Sequence, residues 1–287
     1  MRSDFAVFIL THGRPDNIKT LKVLSDQGYT GDIIILIDSM DSTADRYHEL
    51  FGEQVYVFDK AEEIQSTDSG DNKDDDHRTI LYARNAVFKA ARELGYRYFI
   101  QLDDDYIKFE YRYRSDMSYG YVGFPTHLDN VFELLVRFLE ETPAVTISLT
   151  QGGDFIGGAG NQNAEGIRLL RKAMNTFVCS VERPIGFVGR FNEDVNTFVT
   201  HAMRGGLMVS TTQVSVIQTA SQSQAGGITE LYLKYGTYVK SFYSVMYAPS
   251  CVKIRMMGDK HRRLHHNVSW NNAAVKILHE KHRKVSA

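Results

Sequence analysis

Phe5-Ala6-Val7-Phe8-Ile9-Leu10 is an unbroken apolar run, the pattern of a strand covered on both faces. It ends at Thr11-His12-Gly13-Arg14-Pro15. Ile18, Leu21 and Leu24 then recur at helical spacing, with Asp16 or Asn17 available as cap. Asp32 to Asp38 is a second apolar run, and it ends in a carboxylate. Short links make this a right-handed, parallel strand–helix–strand unit. Val55 to Phe58 supplies a third, short strand. Ile80, Ala83, Val87 and Leu94 share one face of a helix that Gly95 stops. Tyr96 to Leu102 is the next buried strand, and it breaks off at Asp103-Asp104-Asp105.

Beyond the triplet, Ile107, Phe109, Tyr111 and Tyr113 alternate with Lys108, Glu110, Arg112 and Arg114, which predicts a strand with one wet face. Leu128, Val131, Leu135 and Leu139 mark an amphipathic helix that ends before Pro143. Strands are expected over 144–149, 175–181 and 207–218, a helix from Asn192, a helix over 229–243 and a last strand region over 245–256. The polar, acidic stretch from Lys60 to His77, with Asp74-Asp75-Asp76, reads as a solvated loop or a lid. The glycine-rich stretch 152–160 lacks the Lys-Ser/Thr of a P-loop and suits a loop over a substrate pocket. The order of elements predicts an α/β fold, a mostly parallel central sheet flanked by helices. One continuous domain over 1–250 would carry a basic extension over 251–287 that packs near the site.

A length of 287 residues suits this architecture, and no apolar run approaches the roughly 20 residues that span a bilayer. The first residues lead straight into a strand, so no signal peptide is expected. Cys179 and Cys251 lack metal-type spacing and fit reduced thiols in a cytoplasmic protein. The net charge of −2 hides an asymmetry: carboxylates dominate between Asp38 and Asp76, and Lys and Arg dominate from Lys253 onward. A basic end can meet a polyanion or nucleotide phosphates, or it can be a solvated tail.

Candidate chemistry centres on the Asp triplet. Strand alternation sends Asp103 and Asp105 to one face and Asp104 to the other. Two crowded carboxylates suit a hard dication, Mg²⁺ or Mn²⁺; a solvated acidic loop is the plainer reading. Thr11, Arg14, Asp38 and Asp41 would meet at the ends of the first two strands. There Asp38 can accept from a base or ribose and Arg14 can hold a phosphate, unless Arg14 and Asp41 are simply solvated. Arg84 either reaches a pyrophosphate or forms a surface salt bridge. Glu193 and Asp194 suit the first turn of a helix through its dipole, and equally suit a general base. His265 and His266 can supply a metal ligand, or can stack on bases with Trp270.

Asp38, Arg84-Asn85, Asp103-Asp104-Asp105 and Glu193-Asp194, in this order, resemble the GT-A nucleotide-sugar glycosyltransferases. Thr11-His12-Gly13-Arg14-Pro15, Gln101 to Asp105, Phe191 to Asp194 and His265-His266…Trp270 resemble the phage TET-associated glycosyltransferases of DNA 5-hydroxymethylpyrimidines. The resemblance implies a GT-A-like, Rossmann-type core, a UDP-sugar donor and a divalent metal. It implies that Asp105 and Asp103 hold the metal, with His266 and His265 as further candidates. It places Thr11, Arg14, Asp38, Asp41, Arg84, Asp103 and Asp104 on the donor. It makes Asp194, or Glu193, the base of an inverting transfer. A DNA acceptor calls for a positive surface, for which Arg112, Arg114, Arg190, Arg204, Arg262, Arg263 and Trp270 are candidates. No zinc finger or helix-turn-helix is present to read DNA, and no obligate protein partner is evident. A glycan or small-molecule acceptor, or a non-catalytic nucleotide- or nucleic-acid-binding module, are the alternatives.

Overall fold

Strand β1 (Phe5–Leu10) lies inside the sheet, between β2 (Asp32–Asp38) and β4 (Tyr98–Asp103), and both of its faces are covered. Its residues alternate between two cores. Ala6, Phe8 and Leu10 pack with Leu81, Val87 and Phe198, while Phe5, Val7 and Ile9 pack with Leu24, Phe132 and Leu135. Each large side chain so buried contributes roughly 1.5–3 kcal/mol. The computed structural model describes residues 1–71, 77–114, 116, 119–151, 167–168, 172–219, 232, 234–236, 238–258 and 262–273. Asp74-Asp75-Asp76, the glycine-rich stretch 152–160 and the basic residues after 273 lie outside the described residues.

The remaining strands are β3 (Val55–Phe58), β5 (Tyr106–Tyr113), β6 (Tyr119–Gly123), β7 (Ala144–Gln151), β8 (Ile167–Arg168), β9 (Phe177–Ser180) and β10 (Leu207–Gln218). They join in the order β3-β2-β1-β4-β9-β7-β10-β5-β6, with β8 on β10. The β3-β2-β1-β4 half is wholly parallel, as is the β7–β10 pair; β9, β5, β6 and β8 run antiparallel to their neighbours. Helices α1 (Lys19–Asp26), α2 (Ala44–Phe51), α3 (Lys60–Ser66), α4 (Leu81–Glu93), α5 (Leu128–Glu141) and α6 (Glu193–Met203) accompany the sheet. Gly28, which follows α1, has φ +74°, and a Cβ there would stand 2.2 Å from the Thr126 carbonyl oxygen.

Several local expectations are corrected. Helix α1 starts at Lys19 without a side-chain cap, because Asp16 pairs with Arg46 instead (2.8 Å). The acidic stretch after β3 is partly helical: Asp59 caps α3 by accepting from the Ala61 and Glu62 amides. Its end is tied down, with the Gly189 N–H donating to the Asp68 carbonyl (2.8 Å) and the Arg190 N–H to that of Ser69 (3.0 Å). Strand β5 does not alternate cleanly. Ile107 and Tyr111 are exposed, whereas Phe109 and Glu110 are buried. Its pairings with β10 and β6 both carry register shifts, which turn side chains between faces. Glu110 is buried between Lys108 (2.5 Å) and Arg112 (2.7 Å).

The C-terminal part also differs. The helix is α7 (Val239–Tyr247), later than expected, and a hairpin of β11 (Val252–Met257) and β12 (Arg263–Val268) replaces the single strand. Val252 and Val268 join the core, and a short α8 (Trp270–Ala273) follows. Trp270 is half-buried and packs edge-on against Phe198 at 5.6 Å.

Candidate active site

The carboxyl ends of β1, β2 and β4 meet at one edge of the sheet, where open α/β folds hold ligands. Thr11, just past β1, donates to Asp104 (2.7 Å), and Tyr47 Oη lies 3.0 Å from the same hydroxyl. Arg14 donates its Nη1 to Asp104 (3.0 Å) and its backbone N–H to Tyr47 Oη (2.9 Å). Asp41 accepts from the Gly13 amide (2.7 Å) and from the Thr43 amide and hydroxyl, which shapes the turn after β2. Asp38 contacts His12 Nδ1 (2.8 Å) and Lys60 Nζ (3.3 Å). Burial pushes the Asp38 carboxyl up, but His12 and Lys60 outweigh it and hold it below the ordinary range. Asp38 in turn raises His12. Thr11, Arg14 and Asp104 thus form one hydrogen-bonded group with Tyr47, and Asp38 and Asp41 hold the adjoining His12-Gly13 turn.

Asp103, the last residue of β4, turns the other way, toward α4 and α6. Arg84 joins it there, Nη2 donating to Asp103 (3.0 Å) and Nε to Glu193 (3.3 Å). The guanidinium is 1% exposed and lies over the Phe177 ring at 5.0 Å, and its Nη1 has no hydrogen-bond partner. Arg84 is therefore a buried bridge between two carboxylates, not a surface salt bridge. Burial pushes Asp103 up to about 6, with Asp105 and Asp104 adding to the effect and Arg84 opposing it. Glu193 is likewise raised, by burial and by Asp194.

Asp194 follows at the start of α6, and Lys172 Nζ donates to its Oδ2. Burial pushes Asp194 up, but Lys172 outweighs it and keeps the carboxyl below its ordinary value. Lys172 lies outside any periodic pattern, and nothing in the sequence singles it out. Asn192, expected as the cap of α6, adopts φ +58° and makes no capping bond. Its amide instead donates to His266 Nδ1 (2.9 Å), Ser244 Oγ (3.1 Å) and the Lys240 carbonyl (3.3 Å). Burial and neighbouring cations push His266 down to about 3, so its ring is neutral, and the proton sits on Nε2 because Nδ1 accepts.

Among the described residues, no three His, Cys, Asp or Glu side chains stand close enough to share one ion. His265 and His266 are thus not gathered with Asp103 and Asp105. His265 Nδ1 contacts the His266 carbonyl oxygen (2.7 Å), and His266 Nδ1 is taken by Asn192. Asp103 and Asp105 do fit a hard dication in donor type: both are carboxylates raised by burial, with Asp105 raising Asp103 further and Asp104 raising Asp105 further.

The acceptor candidates divide. Arg190 is buried and holds Asp71 (2.9 Å) and Tyr243 Oη (3.2 Å). Arg112 holds Glu110 and Ser215 Oγ (2.8 Å). Both are thus held by partners within the fold. Arg114, Arg204, Arg262 and Arg263 are exposed.

Carboxylates and cations thus gather at the ends of a parallel half-sheet, tied through Arg84 to the start of a later acidic helix. Residues 5–227 match the TET-Associated Glycosyltransferases, and the chain belongs to that family. It is a glycosyltransferase. No curated protein matches the sequence. Among solved structures, the chain is similar to glucosyl-3-phosphoglycerate synthase from Mycobacterium tuberculosis, crystallised with Mn²⁺, uridine diphosphate and phosphoglyceric acid. Identity there is 10%, coverage 92% of this chain and 86% of that one, and TM-score 0.44. It is also similar to residues 1–349 of TarS from S. aureus, at 13% identity, 84% and 65% coverage and TM-score 0.46. No helix among the described residues is long and apolar enough to cross a membrane.

Proposed function

We propose that this glycosyltransferase moves a sugar from a UDP-sugar to the hydroxymethyl group of a 5-hydroxymethylpyrimidine, such as 5-hydroxymethylcytosine, in DNA. The observation that carries the reading is the contact chain Asp103–Arg84–Glu193 beside Asp194–Lys172, at the ligand end of the sheet. On this reading the donor lies on the Asp103 side of that chain and the acceptor on the Asp194 side. On the donor side, Asp38, backed by His12 and Lys60, accepts from the nucleoside. Asp103 and Asp105 would hold a divalent cation, Mn²⁺ or Mg²⁺. What such a cation supplies is neutralisation of the diphosphate charge that grows as the glycosidic bond breaks. Arg84 keeps Asp103 and Glu193 ionised and fixed.

On the acceptor side, Asp194 is ionised and held at a helix start. It removes the proton from the acceptor hydroxyl as that oxygen bonds to the anomeric carbon. The bond to the diphosphate oxygen breaks on the opposite face, UDP leaves with the electron pair, and the configuration inverts. Glu193 is bound to Arg84 and serves less well as base. The test is incubation of the protein and Mn²⁺ with DNA carrying 5-hydroxymethylcytosine or 5-hydroxymethyluracil and a panel of UDP-sugars, followed by mass spectrometry of the nucleosides. One added sugar per modified base is expected. Transfer to a glycan or small alcohol, with every DNA left unmodified, overturns the acceptor assignment.

A further inference from the structure

Strands β11 and β12 form a two-stranded antiparallel ribbon apart from the main sheet. Its root sits in the core, where Val252 and Val268 face each other and are 1% and 9% exposed. Further along the same face Ile254 and His266 are half-buried, and then Met256 and Leu264 are exposed at 59% and 38%. The ribbon therefore leaves the body of the protein as an arm. His266 ties this arm to the candidate site, because its Nδ1 accepts from the Asn192 amide (2.9 Å), two residues before Asp194. The Ser269 N–H closes the root by donating to the Cys251 carbonyl (2.8 Å).

Pleating sends Lys253, Arg255 and Arg263 to the opposite face of the ribbon, and all three are exposed. Lys253 and Arg255 are two residues apart on β11. Arg263 pairs with Met257 and so stands diagonal to Arg255, which leaves each cation about 7 Å from the next. Neither strand contains an Asp or Glu. Among the described residues, no acid pairs with any of the three cations. The acceptor suits such an arm. A hydroxymethyl group on C5 of a pyrimidine takes the place of the thymine methyl, which projects into the major groove. That groove is about 12 Å wide and admits a two-stranded β-ribbon.

We propose that the β11–β12 ribbon lies along the major groove of the acceptor DNA, with Lys253, Arg255 and Arg263 on the phosphates that border it. The proposal rests on the DNA reading above. The ribbon lies beyond residues 5–227, the part of the chain that matches the family. Its phosphate contacts give affinity and register without reading sequence. Anchored at Asn192, it holds the duplex with the target hydroxyl toward Asp194.

The experiment is fluorescence anisotropy with a duplex containing 5-hydroxymethylcytosine, and with the same strand single, using the whole chain. The variants are Lys253→Gln, Arg255→Gln and Arg263→Gln, singly and together, with Arg137→Gln on α5 as control. UDP affinity with Mn²⁺ is read in parallel by calorimetry. Each single variant should shrink the loss of duplex affinity between about 50 and 200 mM salt by roughly threefold, the share of one phosphate contact, and the triple by roughly fortyfold. The control and UDP affinity should not move. A triple variant with the wild-type slope, in a background where the wild type transfers sugar to this DNA, overturns the ribbon alone. So does a control that changes as much as the single variants. An equal change on the single strand overturns the groove placement. Where the triple variant also loses UDP affinity, the three single variants decide by the same slopes. A wild-type protein that neither binds nor modifies the duplex overturns both the ribbon and the DNA reading.

Discussion

Replacing Arg84 with Met keeps most of the side-chain volume and removes the one cation between Asp103 and Glu193. Both carboxylates are then buried without their partner. Taking one member from a buried ion pair costs about 3–5 kcal/mol. The guanidinium Nη1 has no hydrogen-bond partner, so its removal returns about 1 kcal/mol or more. A net loss of about 2–4 kcal/mol at pH 8 follows from these two figures. The loss must depend on pH. Arg84 pulls Asp103 and Glu193 down against burial, so without it both folded-state values rise further. An acid raised above its unfolded value of about 4 destabilises the fold as pH climbs from there toward the folded value. The deficit should therefore be small near pH 5 and largest near pH 8. Urea unfolding of both proteins at the two pH values measures it. A deficit below about 1 kcal/mol at pH 8, or one equal at both pH values, refutes the buried-bridge reasoning.

Asp194→Asn should reduce transfer about 10²–10⁴-fold and leave UDP affinity in place, measured by product assay and calorimetry; full activity would remove Asp194 as base. Mn²⁺ affinity should fall as pH drops through about 6, because the proton on Asp103 competes with the ion. Titration between pH 5 and 7.5 checks this, and a flat response contradicts it. In the same assay, Asp103→Asn and Asp105→Asn should abolish the dependence of UDP binding on Mn²⁺.

The parallel half of the sheet was legible because its strands are continuous apolar runs, and both faces of β1 had to be covered. The Asp triplet was legible because it interrupts such a run. Asp103 and Asp104 do point to opposite sides, toward Arg84 and toward Thr11 and Arg14, although the strand ends at Asp103 and Asp104 lies in the turn after it. The role of Arg84 was not legible, since its partner Glu193 lies 109 positions away and nothing local marks the pairing. Lys172 was missed for the same reason. Arg190 and Trp270 looked like surface residues by type, yet tertiary contacts with Asp71, Tyr243 and Phe198 draw them inward. The C-terminal hairpin was blurred because Ser, Tyr and Met in α7 carry no strong periodicity, and β11 is mostly exposed.

Strand β9 enters the sheet from the end at which β4 leaves it, pairing Phe177 with Gln101. Its approach, from Lys172 to Thr176, is therefore delivered to the reaction edge, and Tyr106 Oη is anchored there on the Asn175 carbonyl (2.8 Å). The core holds this segment in place: Ala173 and Thr176 are fully buried, and the Thr176 hydroxyl accepts from the Leu149 amide (2.8 Å). One reversed strand thus carries Lys172 to Asp194 on a lead-in that the core itself keeps rigid.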